Sequence, residues 1–147
     1  MSTPITVRDV RPDDPVTDHI RAIYEEHGLA FDLDFEDDLQ DVCASYRRGA
    51  FWVAELDGRL VGTGGVVANG WARVIKRIYI APAARRTGLA RELVRRAYTW
   101  GDFSRTELWS DVRFRSAHRL YLTEGFRQGP TRVLEDPDRS VERYFWR

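Results

Sequence analysis

Residues 50–91 read AFWVAELDGRLVGTGGVVANGWARVIKRIYIAPAARRTGLAR, and this stretch decides the fold. Three apolar, β-branched runs are separated by Asp57-Gly58 and Asn69-Gly70, dipeptides that supply the positive backbone angles of two-residue hairpin loops. An antiparallel meander of three strands follows. Pro82 cannot continue a strand ladder and ends the third strand. Arg85-Arg86-Thr87-Gly88 then leads into Leu89, Ala90, Leu93, Val94, Ala97 and Tyr98, a helical stripe stopped by Gly101. Upstream, Ile5 to Val10 alternates as a strand, and Asp14-Pro15 predicts an N-cap with proline at the first helical position. Val16, Ile20, Ile23 and Tyr24 form one helical stripe ending at Gly28. Phe35, Leu39, Val42, Cys43 and Tyr46 predict a second helix closed by Gly49. Downstream, Thr106 to Val112 reads as a strand and Ser116 to Gly125 as a short helix. Strands near Phe126 to Leu134 and Val141 to Trp146 finish the chain. The order β-α-α-β-β-β-α-β-α-β-β predicts an α+β fold, a mixed, mostly antiparallel central sheet flanked by helices on both faces. No repeat or linker interrupts residues 1–147, which predicts a single domain.

Composition narrows the class. Of 147 residues, 43% are hydrophobic and 31% charged, and seven Phe, six Tyr and five Trp give more apolar surface than a disordered chain carries. The lone Cys43 excludes an internal disulfide and has no ligand spacing around it, so no metal is expected. The longest uncharged run, Leu60 to Ala72, is too short for a bilayer and is broken by Gly62, Gly64, Gly65 and Gly70. MSTPITVRDV has neither a basic n-region nor an apolar h-region, which predicts a cytoplasmic protein without a membrane partner. Residues 1–70 hold 14 acidic and 6 basic groups, whereas residues 71–147 hold 9 and 17. One protein can thus present an acidic surface to one ligand and a basic surface to another. The basic half is arginine spread over strands, helices and loops with no nucleic-acid motif, so no nucleic acid is expected.

Arg85 to Ala90 joins a strand end to a helix start, where unpaired N–H groups and the positive end of the helix dipole point outward. Gly88 admits an unusual backbone angle or a ligand's close approach, Ala90 keeps the helix start small, and the arginines offer donors suited to phosphate oxygens. The segment reads as a diphosphate loop or as a plain strand-to-helix turn, and it is neither a Walker A nor a G-x-G-x-x-G loop.

Arg-x-x-Gly-x-Ala after Ile78-Tyr79-Ile80-Ala81-Pro82, followed by AHRLYLTEGF at 117–126, resembles the GNAT superfamily of acyl-CoA-dependent N-acyltransferases. The resemblance implies acetyl-CoA as cosubstrate, no metal, and direct attack by a primary amine in a ternary complex. It also implies that the backbone of Ile78 and Ile80 meets the pantetheine arm. Arg85, Arg86, Thr87, Gly88, Leu89 and Ala90, with Arg91 beside them, would surround the diphosphate, and Tyr121 would face the thioester sulfur. A phenol that donates to a departing thiolate eases its expulsion. Tyr121 also shares an apolar stripe with Ala117 and Leu120, the pattern of a core residue.

The sequence departs from the family at two points. The glutamate that many relatives carry on the fourth strand is Val74 here, and the asparagine seven residues before the tyrosine is Phe114. Asp111 is the expected replacement base, on one strand face with Glu107 and Trp109. It is equally placed to cap the next turn or to pair with Arg113. An oxyanion would meet a main-chain N–H near Ile80, where the family's fourth strand bulges from the fifth. Glu25, Glu26, Asp32, Asp34, Glu36, Asp37, Asp38 and Asp41 fall in the family's variable acceptor region and suggest a cationic acceptor, a small-molecule or peptide amine. A non-catalytic acyl-CoA-binding domain is the alternative, because the usual base is missing. His118 can assist proton transfer or, like His27, be a half-exposed helix histidine with no required partner; Cys43 reads as inert core, and Trp109 as a packing residue that can also wall the acceptor site. An exposed last strand leaves monomer and homodimer both open.

Overall fold

The computed structural model describes residues 4–147; Met1 to Thr3, the start of the amino terminus read above, lie outside the described residues. Strands β1 (Thr6–Asp9), β2 (Ala50–Leu56), β3 (Arg59–Asn69), β4 (Ala72–Ile80), β5 (Arg105–Asp111), β6 (Arg127–Val133) and β7 (Val141–Trp146) form one sheet in the order β1-β2-β3-β4-β5-β7-β6. Every pairing is antiparallel except β4 with β5. The helices are α1 (Val16–Glu26), α2 (Val42–Ser45), α3 (Leu89–Tyr98) and α4 (Arg115–Thr123), so the α+β order expected from the sequence is the one observed.

Alternation along the strands divides the apolar residues into two cores. Val53 and Phe51 turn to one face and pack with Val16, Ile20 and Tyr24 of α1 and with Leu39 and Tyr46. Trp52, Ala54 and Val66 turn to the other and pack with Leu89, Leu93, Val94 and Ala97 of α3 and Tyr121 of α4. Each large apolar side chain buried this way contributes roughly 1.5–3 kcal/mol. Two glycines of β3 set how closely α3 approaches the sheet. A Cβ at Gly62 would stand 2.8 Å from the Leu89 side chain, and one at Gly64 would stand 2.8 Å from Ile78. These glycines are contact points for α3 and β4, and the Arg85–Gly88 turn leads into α3.

Three local expectations are corrected. The predicted second helix is a single 3₁₀ turn, Asp37–Leu39, followed by the four residues of α2, and Phe35 is exposed. Aspartates that hydrogen-bond nearby backbone groups compete with helix formation. Here Asp32 accepts from the Asp34 N–H, and Asp41 caps α2 by accepting from the Ala44 N–H. Cys43 is consequently half-buried and not part of a continuous core stripe. Asp14 does not cap α1: Pro15 holds the N-cap position, and the Asp14 carboxylate instead takes two bonds from Arg8 and one from the Arg11 N–H. The second hairpin loop is Gly70-Trp71, one residue later than expected, since Asn69 pairs with Ala72. Gly70 takes φ +61 at the first loop position and leaves Trp71 89% exposed.

One feature of the sheet creates the site. β4 and β5 pair only through Ala72–Val74 and Arg105–Glu107, yet β4 continues to Ile80 and β5 to Asp111. The two strands therefore part, and the backbone of β4 beyond Val74 has no neighbour on that side. A bulge accompanies the parting: Arg77 and Ile78 together stand opposite Gly64, with Arg77 at φ +60.

Candidate active site

Two cavities open along the free stretch of β4. The first is a groove of about 690 Å³ walled by Ile78, Ile80, Arg85, Arg86, Gly88, Leu89, Ala90 and Arg91, with Phe114, Ala117, Leu120 and Tyr121 opposite. Ala81 N–H donates to the Val61 carbonyl at 2.8 Å. Strand alternation then turns the N–H and C=O of Ile78 and Ile80 away from β3 and toward the gap. The bulge against β3 lies at Arg77–Ile78, where Arg77 takes the left-handed conformation, within the stretch of β4 that no longer pairs with β5.

Gly88 caps α3 at φ +86, offers no side-chain oxygen to the first turn, and the first full helical bond runs from Glu92 N–H to the Gly88 carbonyl at 3.0 Å. The N–H groups of Ala90 and Arg91 are thus left for an anion, the arrangement that binds phosphates at helix starts. Thr87 is the one member of the expected set that does not line the groove; its hydroxyl donates to the Ala84 carbonyl at 2.5 Å and closes the turn. Arg85 lines it with its donors engaged: Glu26 accepts from it at 2.5 and 2.6 Å, and Nε donates to the Ile80 carbonyl at 3.1 Å. Arg91 pairs with Glu124 at 2.9 Å. Among the described residues Arg86 has no ion pair.

The second cavity, about 340 Å³, lies between the segment after α1, strands β4 and β5, and the β6–β7 loop. Both cavities are bounded by Ile78, Tyr79, Phe114, Ala117 and Tyr121, so they meet there. Tyr121 is 4% exposed, its ring set against Phe126 and Phe145. Burial, and then the nearby Tyr79, raise its pKa, so its hydroxyl stays protonated. No described group hydrogen-bonds that hydroxyl. Tyr121 is therefore a core residue whose protonated, unpartnered hydroxyl lies where the two cavities meet.

Asp111 lines the second cavity with Trp109 and Val74. Its carboxylate receives Arg113 Nε at 2.9 Å, a second guanidinium nitrogen at 2.8 Å and the Arg113 N–H at 2.9 Å. Burial pushes its pKa up, but the bonds and charge of Arg113 outweigh this and hold it below the ordinary value. Arg113 also donates to Ser140, which donates to Asp136, so the β6–β7 loop is tied to the end of β5. Of the acidic group, Glu36, Asp37 and Asp38 line the cavity, whereas Asp32 and Asp34 do not. His27 packs against Phe114 at 4.7 Å. His118 stands edge-on to Phe145 at 4.8 Å, with Nε2 buried and unpartnered and its pKa lowered by burial.

Sequence reading missed a polar cluster at this junction. Arg77 donates to Asp38 at 3.1 and 2.5 Å, to Glu36 at 2.8 Å and to the Tyr24 hydroxyl at 3.2 Å. Tyr46 donates to Asp38 at 2.6 Å, and Tyr24 to Glu36 at 3.0 Å. The signal was the charged pair Lys76-Arg77 between the apolar runs Val74-Ile75 and Ile78 to Ile80 of β4. A non-glycine residue in the left-handed region costs about 1–3 kcal/mol unless its surroundings fix it, and two carboxylates fix Arg77.

The model of the GNAT acetyltransferase domain matches residues 47–128, and the chain belongs to this family. An acetyltransferase from Streptococcus agalactiae 2603 superposes with a TM-score of 0.83 at 22% identity over 97% of each chain. A GNAT-family acetyltransferase from Staphylococcus aureus Mu50 gives 0.84 at 20% identity over 98% of each. The Salmonella typhimurium protein yncA, solved with its cofactor acetyl-CoA, gives 0.69 at 14% identity over 99% of this chain and 94% of its own. No curated protein sequence matches the chain. No helix among the described residues is long and apolar enough to cross a membrane.

Proposed function

We propose that this chain is an acetyl-CoA-dependent N-acetyltransferase that moves an acetyl group to a primary amine by direct attack in a ternary complex. The observation that carries the reading is the meeting of the two cavities at Tyr121, one walled by an uncapped helix start and the other by polar side chains. The α3 N–H groups and Arg86 would hold the diphosphate, and the inward N–H and C=O of Ile78 with the N–H of Ile80 would hold the pantetheine amides. The thioester supplies an activated acetyl carbonyl. The inward N–H groups are the donors available to a developing oxyanion, and Tyr121 supplies the proton for the leaving sulfur. Asp111 is proposed to act on the acceptor side, as base through its remaining lone pair or as the anchor of Arg113. The acceptor is proposed to be a small amine carrying positive charge, because Glu36, Asp37, Asp38, Asp111, Asp136 and Glu142 outnumber Lys76, Arg77 and Arg132 on the cavity wall.

Calorimetric titration with acetyl-CoA, dephospho-CoA and ADP tests the groove without naming the acceptor. Binding is expected for all three, and the absence of heat and of any thermal shift would remove the reading. Linkage predicts roughly 2.7 kcal/mol of added stability at a hundredfold excess over Kd. A panel of putrescine, kanamycin and a lysine peptide with thiol-release detection then tests transfer. Saturable binding without turnover on any amine would make the chain a non-catalytic acyl-CoA-binding domain.

A further inference from the structure

The proton inventory around Tyr24 fixes the direction of the polar cluster at the junction. Tyr24 has one hydroxyl proton, and it goes to Glu36 Oε1 at 3.0 Å. Its oxygen already accepts from Arg77, a side chain that only donates. The Tyr79 hydroxyl lies 3.3 Å from the Tyr24 oxygen. With the Tyr24 proton committed, Tyr79 must be the donor of that contact, which leaves the Tyr79 oxygen only lone pairs to present to the junction. Tyr79 walls both cavities and stands edge-on to Tyr24 at 5.7 Å and to Phe114 at 5.6 Å, so its ring is fixed. Tyr121, across the same junction, keeps a free proton. The two phenols therefore face the reaction with opposite polarity.

We infer that Tyr79 is a catalytic residue that accepts the N–H of the incoming amine, and that the amine's surplus proton leaves along Tyr79, Tyr24 and Glu36. The inference rests on the acyl-transfer reading above. The amine nitrogen forms a bond to the acetyl carbonyl carbon and the carbon–sulfur bond breaks. The nitrogen's extra proton passes to the Tyr79 oxygen as the Tyr79 proton passes to Tyr24 and the Tyr24 proton to Glu36, so neither phenol of the relay ends the step charged. The sulfur takes the Tyr121 proton, which solvent restores, and Glu36, whose side chain is 15% exposed, returns its own to solvent. Glu36 and Tyr24 touch no reacting atom and are positioning residues. Arg77 keeps Glu36 an acceptor, and its ion pair with Asp38 survives changes at Glu36.

The same inventory supplies the test. In Glu36→Gln, the amide oxygen must turn to Arg77, so the amide N–H turns to Tyr24. Tyr24 then donates to Tyr79, and the Tyr79 proton is driven into the cleft, reversing its polarity without removing a ring. Wild type is first shown to bind acetyl-CoA and to acetylate the best acceptor of the putrescine, kanamycin and lysine-peptide panel; failure here overturns the functional reading and this inference together. Tyr79→Phe and Glu36→Gln are then each expected to lose at least about tenfold in kcat/KM for the amine, with acetyl-CoA Kd within about twofold of wild type. The ring-carbon resonance of Tyr79, read by NMR with labelled tyrosine and no ligand, is expected to move in Glu36→Gln. Wild-type kcat/KM in Tyr79→Phe, or an unmoved Tyr79 resonance in Glu36→Gln, overturns the inference while leaving the transferase reading intact.

Discussion

The groove proposed for the acyl donor and the cavity proposed for the acceptor share five wall residues but are built in opposite ways. About half of the groove wall comes from one continuous stretch, Ile78 to Arg91, which offers the inward main-chain groups of β4 and the free N–H groups of α3 beside the side chains of Arg85, Arg86 and Arg91. The cavity draws on the segment after α1, two strands and the β6–β7 loop, and its charged side chains mostly bind one another. Backbone recognition tolerates sequence change wherever the turn and strand are kept, whereas side-chain recognition changes with every substitution. On the proposed function, this construction lets one donor site stay constant while the acceptor site varies.

The sharpest way to break this division is at the junction. Tyr121→Phe keeps the ring against Phe126 and Phe145 but removes the proton, so the fold and acetyl-CoA affinity should survive while kcat falls by roughly a hundredfold. An unchanged kcat would return Tyr121 to the core alone. On the donor side, Gly88→Val tests backbone recognition directly. A Cβ there meets nothing within 4 Å, so the cost comes from φ +86. Left-handed geometry costs a residue with a Cβ roughly 1–2 kcal/mol, which predicts about tenfold weaker acetyl-CoA binding by calorimetry and an unaltered KM for the amine. Undiminished affinity would mean that the start of α3 is not the diphosphate site.

This contrast also explains how much was legible in the sequence. Hairpin dipeptides, the Pro82 stop and the stripe from Leu89 to Tyr98 are local signals, and the element order they predict is the one observed. The Ile78–Arg91 wall of the groove was legible because its residues lie in one continuous stretch. Arg77, Tyr79 and Tyr24 were not, and Glu36 was legible only as one of an acidic group, because the cluster they form depends on contacts 12 to 55 positions apart. The second helix failed for a related reason: its apolar spacing was helical, but Asp32 and Asp41 spend their side chains on backbone N–H groups nearby. Asp14 looked like a cap until Arg8 and Arg11 claimed it.

Acid should distinguish the two regions further. His19 on α1 contacts the Tyr79 carbonyl through Nε2 at 2.9 Å, and burial holds its pKa below the ordinary 6.5 despite that bond. Its contribution to stability is fully present above about pH 6.5 and declines below it, because the unfolded chain then takes up protons that the folded chain refuses. Asp38 and Asp111 have carboxyl pKa values that burial raises but Arg77 and Arg113 pull below the ordinary 3.8. Their stabilisation is present above that value and is lost as pH falls through the lowered native values. Thermal midpoints measured against pH should therefore fall in two stages, and Asp111→Asn should shrink the lower one. A loss of about 1 kcal/mol corresponds to roughly 2–4 °C at this chain length. Amide exchange should show the cavity opening before the α3 start; simultaneous opening would argue that the two regions are one unit.

The smallest expected effect lies where the donor side does rely on a side chain. Glu26 holds Arg85 through two short bonds, both residues more than a third exposed, and exposed pairs contribute about 0–1 kcal/mol. Glu26→Gln removes the charge that competes with a diphosphate for the same guanidinium, while Arg85 Nε can keep its bond to the Ile80 carbonyl. Acetyl-CoA and ADP should both bind more tightly, by up to about fivefold, and the gain should shrink as salt screens the site. Equal affinity in the variant would leave the diphosphate to the α3 backbone and Arg86. Weaker binding would mean that Glu26 aims Arg85 at the ligand and that the acidic end of α1 serves the donor side.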